Sequence, residues 1–250
     1  NDSYCAGPNV NSTDQRGAPR PQDGDGDGVS ACDIGAFELG DAPSICDITY
    51  SLPNNKWQQI SLPCDPGANN SVAAVFGDDI LATYSTDWIL YRYDSSGYVP
   101  LSETDTLSQG VGYWIIQKSG SEVTLDMPDN SSSTPVTNST SCLDSAQGCF
   151  GIPLVTQLNT TQWNMIGYPF ASAGNLGGVR VVTTPSPCTL NCDLDEAESQ
   201  GIVHNQFWNY DGTSYTKVDT SGNLDPWKGY WVATLNQASG TSPRLLVPRL

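Results

Sequence analysis

An all-β fold of two tandem β-sandwich-like domains is the architecture this sequence predicts, and three observations predict it. Short alternating or aromatic runs are separated by turn residues about every 8–12 positions. Most of the chain occurs twice. Its 24 Gly and 17 Pro accompany abundant Ser, Thr, Asn and Asp, residues that punctuate strands and do not sustain helices. With 38% of its 250 residues hydrophobic, the chain has enough apolar surface for real cores.

The repeat is read from three anchors in the same order. Leu52–Pro63, with Trp57 and Ile60, matches Leu158–Pro169, with Trp163 and Ile166. Tyr93-Asp94 and Tyr98 match Tyr210-Asp211 and Tyr215, and Gly112-Tyr113-Trp114-Ile115 matches Gly229-Tyr230-Trp231-Val232. The offset grows from 106 at Trp57/Trp163 to 117 at Tyr93/Tyr210, so copy 2 carries 11 extra residues, placed around Cys188–Glu198. Each copy closes alike, on Leu125–Pro128 and Leu245–Pro248. Copy 1 spans 46–128 and copy 2 spans 142–250, with the Ser/Thr/Pro-rich stretch 129–141 read as a linker.

Within a copy the strands follow in order. Trp57–Leu62 alternates; Trp88–Tyr93 is aromatic and β-branched and breaks at Asp94–Gly97. Gly112–Gln117 is a short apolar strand, and Glu122–Met127 alternates again. Asp193–Gln200 is the one helix candidate. The recurring Trp57, Trp114, Trp163 and Trp231 are expected to fill equivalent positions in two repeated cores. The aromatics left out of that matching, Trp88, Tyr91, Trp208 and Trp227, are the candidates for an exposed platform that stacks on sugar rings.

Eight cysteines, Cys5, Cys32, Cys46, Cys64, Cys142, Cys149, Cys188 and Cys192, are even in number, irregular in spacing and without a CxxC. That pattern predicts disulfides formed in an oxidising compartment. Spacing does not fix their connectivity; Cys46–Cys64, Cys142–Cys149 and Cys188–Cys192 are the short-range pairs to look for.

Residues 1–45 stand outside the repeat as an N-terminal arm. Thr13-Asp-Gln-Arg16-Gly-Ala-Pro-Arg20-Pro and Cys32-Asp33-Ile34-Gly35-Ala36-Phe37-Glu38 resemble the closing segment of secreted bacterial right-handed parallel β-helix surface proteins of the choice-of-anchor type. The resemblance covers about a tenth of the chain. It implies a longer β-helix ahead of Asn1 and export to the cell surface or beyond, and it transfers no catalytic residue. The WxxIxxP…GYW repeat is similar, more loosely, to β modules that follow such regions.

Between the two halves of that motif lies Asp23-Gly-Asp25-Gly-Asp27-Gly28. Alternating carboxylates of this kind converge on calcium, and here Asp23, Asp25 and Asp27, the Val29 carbonyl and Asp33 are the candidate ligands. Ile34 stands where an EF-hand loop needs a bidentate Glu, so a solvated acidic turn is the competing interpretation. Asp193, Asp195, Glu196 and Glu198 form a second acidic cluster.

Charge removes several function classes. A formal net charge of −17 argues against nucleic acid and against anionic membrane surfaces, both of which need clustered Lys and Arg. No apolar run reaches membrane-spanning length. His204 is the single histidine, no GxSxG frames a serine, and neither a phosphate loop nor a dinucleotide fingerprint occurs. The sequence therefore predicts no enzyme. It predicts an extracellular structural or adhesive surface protein, stiffened by disulfides and calcium, that self-associates through strand edges or engages cell-surface components. The alternative is a carbohydrate-binding region of a larger polysaccharide-acting secreted enzyme.

Overall fold

A computed structural model describes residues 46–249 apart from 130, 186, 189 and 190, and the fold is that of these residues. The N-terminal arm, with Asp23, Asp25, Asp27, Val29, Asp33, Cys5 and Cys32, lies outside them. The described chain is all-β and forms one compact unit.

Copy 1 folds as β1 (Tyr50–Leu52), β2 (Gln58–Ile60), α1 (Val72–Phe76), β3 (Trp88–Asp94), β4 (Gly97–Pro100), β5 (Tyr113–Gln117) and β6 (Val123–Leu125). Copy 2 folds as β7 (Cys149–Pro153), β8 (Gln162–Gly167), β9 (Gly174–Asn175), β10 (Arg180–Val182), α2 (Leu194–Ser199), β11 (Phe207–Tyr210), β12 (Tyr215–Val218), β13 (Asn223–Leu224), β14 (Gly229–Thr234) and β15 (Arg244–Pro248). The main sheets run β2-β5-β3-β4 and β8-β14-β11-β12, the same order of equivalent strands, all antiparallel. Three smaller sheets accompany them, β1-β6 in copy 1 and β10-β15-β7 and β9-β13 in copy 2.

Register corrects the first anchor of the repeat. Tyr50 faces Leu125 and Ile152 faces Leu245, so Leu52 corresponds to buried Leu154 and not to Leu158, which is exposed. The loop before β8 is simply longer than the loop before β2. The helix predicted over Asp193–Gln200 forms as Leu194–Ser199, held by a reciprocal cap: Asp193 accepts from the Glu196 N–H and Glu196 accepts from the Asp193 N–H. Helix α1 has no such signature; Ser71 caps it by accepting from the Ala74 N–H. Cys46–Cys64, Cys142–Cys149 and Cys188–Cys192 are disulfides, the last within the extra segment of copy 2.

The stretch 129–141 is a strap rather than a free tether. Asp65 and Ser132 exchange backbone hydrogen bonds, as do Thr137 and Cys149, and the buried Thr134 hydroxyl bonds to the Pro169 carbonyl. One end is stitched to copy 1 and the other to copy 2, so composition misjudged its order.

The copies meet through reciprocal contacts, the signature of an approximate two-fold axis. Ile60 bridges Lys228 while its equivalent Ile166 bridges Val111, the equivalent of Lys228. The Ser61 N–H donates to the Trp227 carbonyl at 2.8 Å, and the Gly167 N–H donates to the Gly110 carbonyl at 2.9 Å. This closeness explains the glycine that opens each Gly-Tyr-Trp. A Cβ on Gly112 would sit 2.5 Å from the Ile166 carbonyl oxygen, and one on Gly229 would sit 2.9 Å from that of Ile60.

Candidate functional site

Period-two alternation divides each main sheet into a core face and an aromatic face. In β3, Trp88 and Leu90 enter the copy 1 core while Tyr91 and Tyr93 point the other way. In β11, Phe207 enters the copy 2 core while Trp208 and Tyr210 point outward. In both Gly-Tyr-Trp strands the Tyr is core and the Trp belongs to the outer face. The aromatic faces meet between the copies around Trp114, Met165 and Trp231.

Two clefts open on this layer. Cleft 1, about 440 Å³, is lined by Trp57, Tyr91, Tyr98, Trp114, Tyr210 and Tyr215. Cleft 2, about 660 Å³, is lined by Trp163, Trp208, Tyr215, Trp231, Tyr93 and Tyr98. Exchanging each residue for its repeat equivalent converts the first set into the second. Each cleft thus takes four aromatic residues from one copy and borrows two tyrosines from the other, and Tyr98 and Tyr215 belong to both.

Edge-to-face packing fixes the rings in matched geometry. Trp57 lies 6.2 Å from Trp114 and Trp163 lies 6.5 Å from Trp231, centroid to centroid. Trp57–Tyr91 at 5.8 Å is echoed by Trp163–Trp208 at 5.4 Å. Across the axis, Tyr210 packs on Trp114 at 5.3 Å and Tyr93 on Trp231 at 4.7 Å. The shared tyrosines are delivered by hairpin turns in which Asp94 accepts from Ser96, and Asp211 from Thr213 and Ser214. Those bonds favour the ionised carboxylates, lowering the pKa of Asp94 and bringing that of Asp211 to about 2. Burial, helped by Tyr215 and Tyr93, raises the Tyr98 pKa above its ordinary value.

The residues that follow Trp57 and Trp163 along their strands differ between the copies. Asn164 is satisfied by Val155, accepting from its N–H and donating to its carbonyl, and Met165 beside it is apolar. The equivalents Gln58 and Gln59 each leave a buried side-chain N–H without a partner, although Gln59 accepts from the Tyr210 N–H. The Trp114 indole N–H is also buried without a hydrogen bond.

Of the four platform candidates, Tyr91 and Trp208 line the clefts, one in each, and they are repeat equivalents of one another. Trp88 and Trp227 do not qualify. Trp88 is 2% exposed and donates its indole N–H to the Ala82 carbonyl; Trp227 is 1% exposed and donates to the Ile48 carbonyl. Conversely, Trp57 and Trp163, expected in the cores, are 38% and 43% exposed. Trp114 and Trp231 are buried, but under the clefts. The missed signal was that positions 57/163, 91/208, 93/210, 98/215 and 114/231 are aromatic in both copies.

The second acidic cluster is dispersed into local bonds. Asp193 and Glu196 cap α2, Asp195 accepts from Asn205, and Glu198 lies 3.2 Å from His204, whose ring packs edge-on against Trp208. No group of three or more His, Cys, Asp or Glu placed to hold a metal ion occurs among the described residues. Among them, no helix is long and apolar enough to cross a membrane. No protein-family model, no curated protein and no solved structure matches the chain.

Proposed function

We propose that residues 46–250 form a carbohydrate-binding module of an extracellular adhesive protein. The observation that supports this reading is the pair of clefts walled solely by tryptophan and tyrosine. Aromatic faces stack on the C–H faces of sugar rings, and rim hydroxyls from Tyr98 and Tyr215 supply polar contacts. The walls carry no cation, and the chain is strongly acidic, so the fitting ligand is a neutral glycan rather than an acidic one. Adhesion through these clefts is better supported than assembly through strand edges. At one edge of each main sheet, β4 and β12 have four residues each and carry Pro100 and Lys217, which blunt pairing at those edges. Binding within an exported surface protein or a larger secreted enzyme uses the same site, and the three disulfides among the described residues accord with either setting.

The test is calorimetric titration of the 250-residue chain with cellohexaose, xylohexaose, mannohexaose and chitohexaose, with polygalacturonate as the acidic control. At least one neutral hexasaccharide is expected to bind, and the double variant Trp57→Ala/Trp163→Ala is expected to abolish that binding. Binding of none of the neutral sugars, or undiminished binding by the double variant, would sink the reading.

A further inference from the structure

The approximate two-fold axis has a chemical consequence that one aromatic cleft would not have. Each ring contact of cleft 1 recurs in cleft 2 with the contributing copies exchanged, as in Tyr210 on Trp114 and Tyr93 on Trp231. The tyrosines Tyr98 and Tyr215 line both clefts, so the clefts lie side by side. A polysaccharide has a reducing and a non-reducing end. A two-fold rotation reverses the direction of a bound chain that runs across the axis, as one passing from cleft to cleft does. One straight chain crossing both clefts therefore meets the second set of rings in the opposite sense and cannot repeat its contacts. Two chain segments running in opposite directions can, one in each cleft.

We propose, resting on the carbohydrate reading above, that the module is bivalent and bridges two neutral glycan segments of opposite direction, one per cleft. The rings that make the sites independent are the outermost ones. Trp57 lines only cleft 1 and Trp163 only cleft 2, and both are well exposed, so either can be removed without opening a core. Bivalence turns a weak stacking site into a cross-link, because a second segment of the same polymer network binds at a high effective concentration.

The experiment titrates the full chain with whichever of the four hexasaccharides binds tightest, then mixes it with the corresponding soluble polysaccharide and follows light scattering. Two hexasaccharides per chain are expected. Trp57→Ala and Trp163→Ala should each retain one, and the double variant none. Scattering should rise with the parent protein and be lost in either single variant, with apparent affinity for the polymer falling about 100-fold. Near-ultraviolet circular dichroism of each variant checks that the fold persists. One hexasaccharide per chain, with binding lost in both single variants, overturns bivalence while leaving the carbohydrate reading intact. One hexasaccharide with only one of the two variants impaired also overturns it. Binding of no hexasaccharide removes both the reading and the inference.

Discussion

Copy 2 completes its own core, and copy 1 does not. The copy 2 cluster, around Tyr168, Phe207, Tyr230 and Val232, draws on copy 2 and on Val136 of the strap. The copy 1 cluster, around Phe76, Trp88, Leu90 and Tyr113, includes Trp227 from copy 2. That indole stacks 6.4 Å from Tyr50 and donates to the Ile48 carbonyl. The equivalent position in copy 1 is Gly110, and both residues have positive φ, 64° at Trp227 and 76° at Gly110. By register, Phe150 and Ile152 of β7 stand where β1 and its approach have Ile48 and Tyr50. A Cβ on Gly110 would lie 2.8 Å from the Phe150 ring. Large and small residues have thus traded places: an indole against Ile48 on one side, a bare glycine under Phe150 on the other. The duplication kept its backbone symmetry and made the plug one-way, which joins two similar copies into one compact unit.

The largest effect expected from breaking this asymmetry follows from Trp227→Gly, which copies the Gly110 side. It relieves the positive φ but empties a fully buried site, and deletions of buried aromatic side chains cost about 3–5 kcal/mol. Guanidinium unfolding followed by far-ultraviolet circular dichroism measures it. A cost below about 1 kcal/mol would mean that the copy 1 core closes without the plug.

Gly110→Ala probes the other half of the trade. Alanine at a φ of 76° is strained, and its methyl group meets Phe150. A loss of about 1–3 kcal/mol is expected from backbone strain of this kind. Adding Phe150→Ala should recover less than that loss, because the φ penalty remains. Full recovery would show that the ring contact, not the backbone, demands glycine.

How much of this was legible follows from what a pattern encodes. Alternation and turn residues marked β2, β3, β5 and β6 because they report local geometry, and the helix expected over Asp193–Gln200 forms as α2. The repeat announced one fold used twice. Periodicity reports that a side chain leaves one face of a strand, and it does not report which body covers that face. Trp57 and Trp163 recur, which suggested two cores; a residue can equally recur because it builds two equivalent clefts. Trp227 lacked a partner in the repeat, which suggested exposure, and its positive φ sends it into the other copy. The five-residue α1 was missed because its buried Val72, Val75 and Phe76 complete barely one turn of a helical pattern.

The smallest expected effect concerns charge, where copy 1 is again the less settled side. Asp126 follows Leu125, whereas Leu246 follows the equivalent Leu245 in copy 2. The Asp126 N–H donates to the half-buried Asp79 carboxylate at 2.9 Å. Burial, opposed by that bond and reinforced by the Asp126 and Asp78 carboxylates, pushes the Asp79 pKa up to about 6. Burial and the Asp78, Asp129 and Asp47 carboxylates also raise Asp126. A carboxyl group whose folded pKa exceeds its unfolded value near 3.8 binds its proton more tightly in the native state. Its contribution to stability is therefore fully present below about pH 4 and is lost as pH rises through about 6. Asp79→Asn keeps an oxygen acceptor for the Asp126 N–H and removes the charge. The variant should match the parent near pH 4 and exceed it in denaturant midpoint at pH 8. Equal midpoints at both pH values would mean that solvent already screens the cluster, and would leave the plug as the difference between the copies that governs stability.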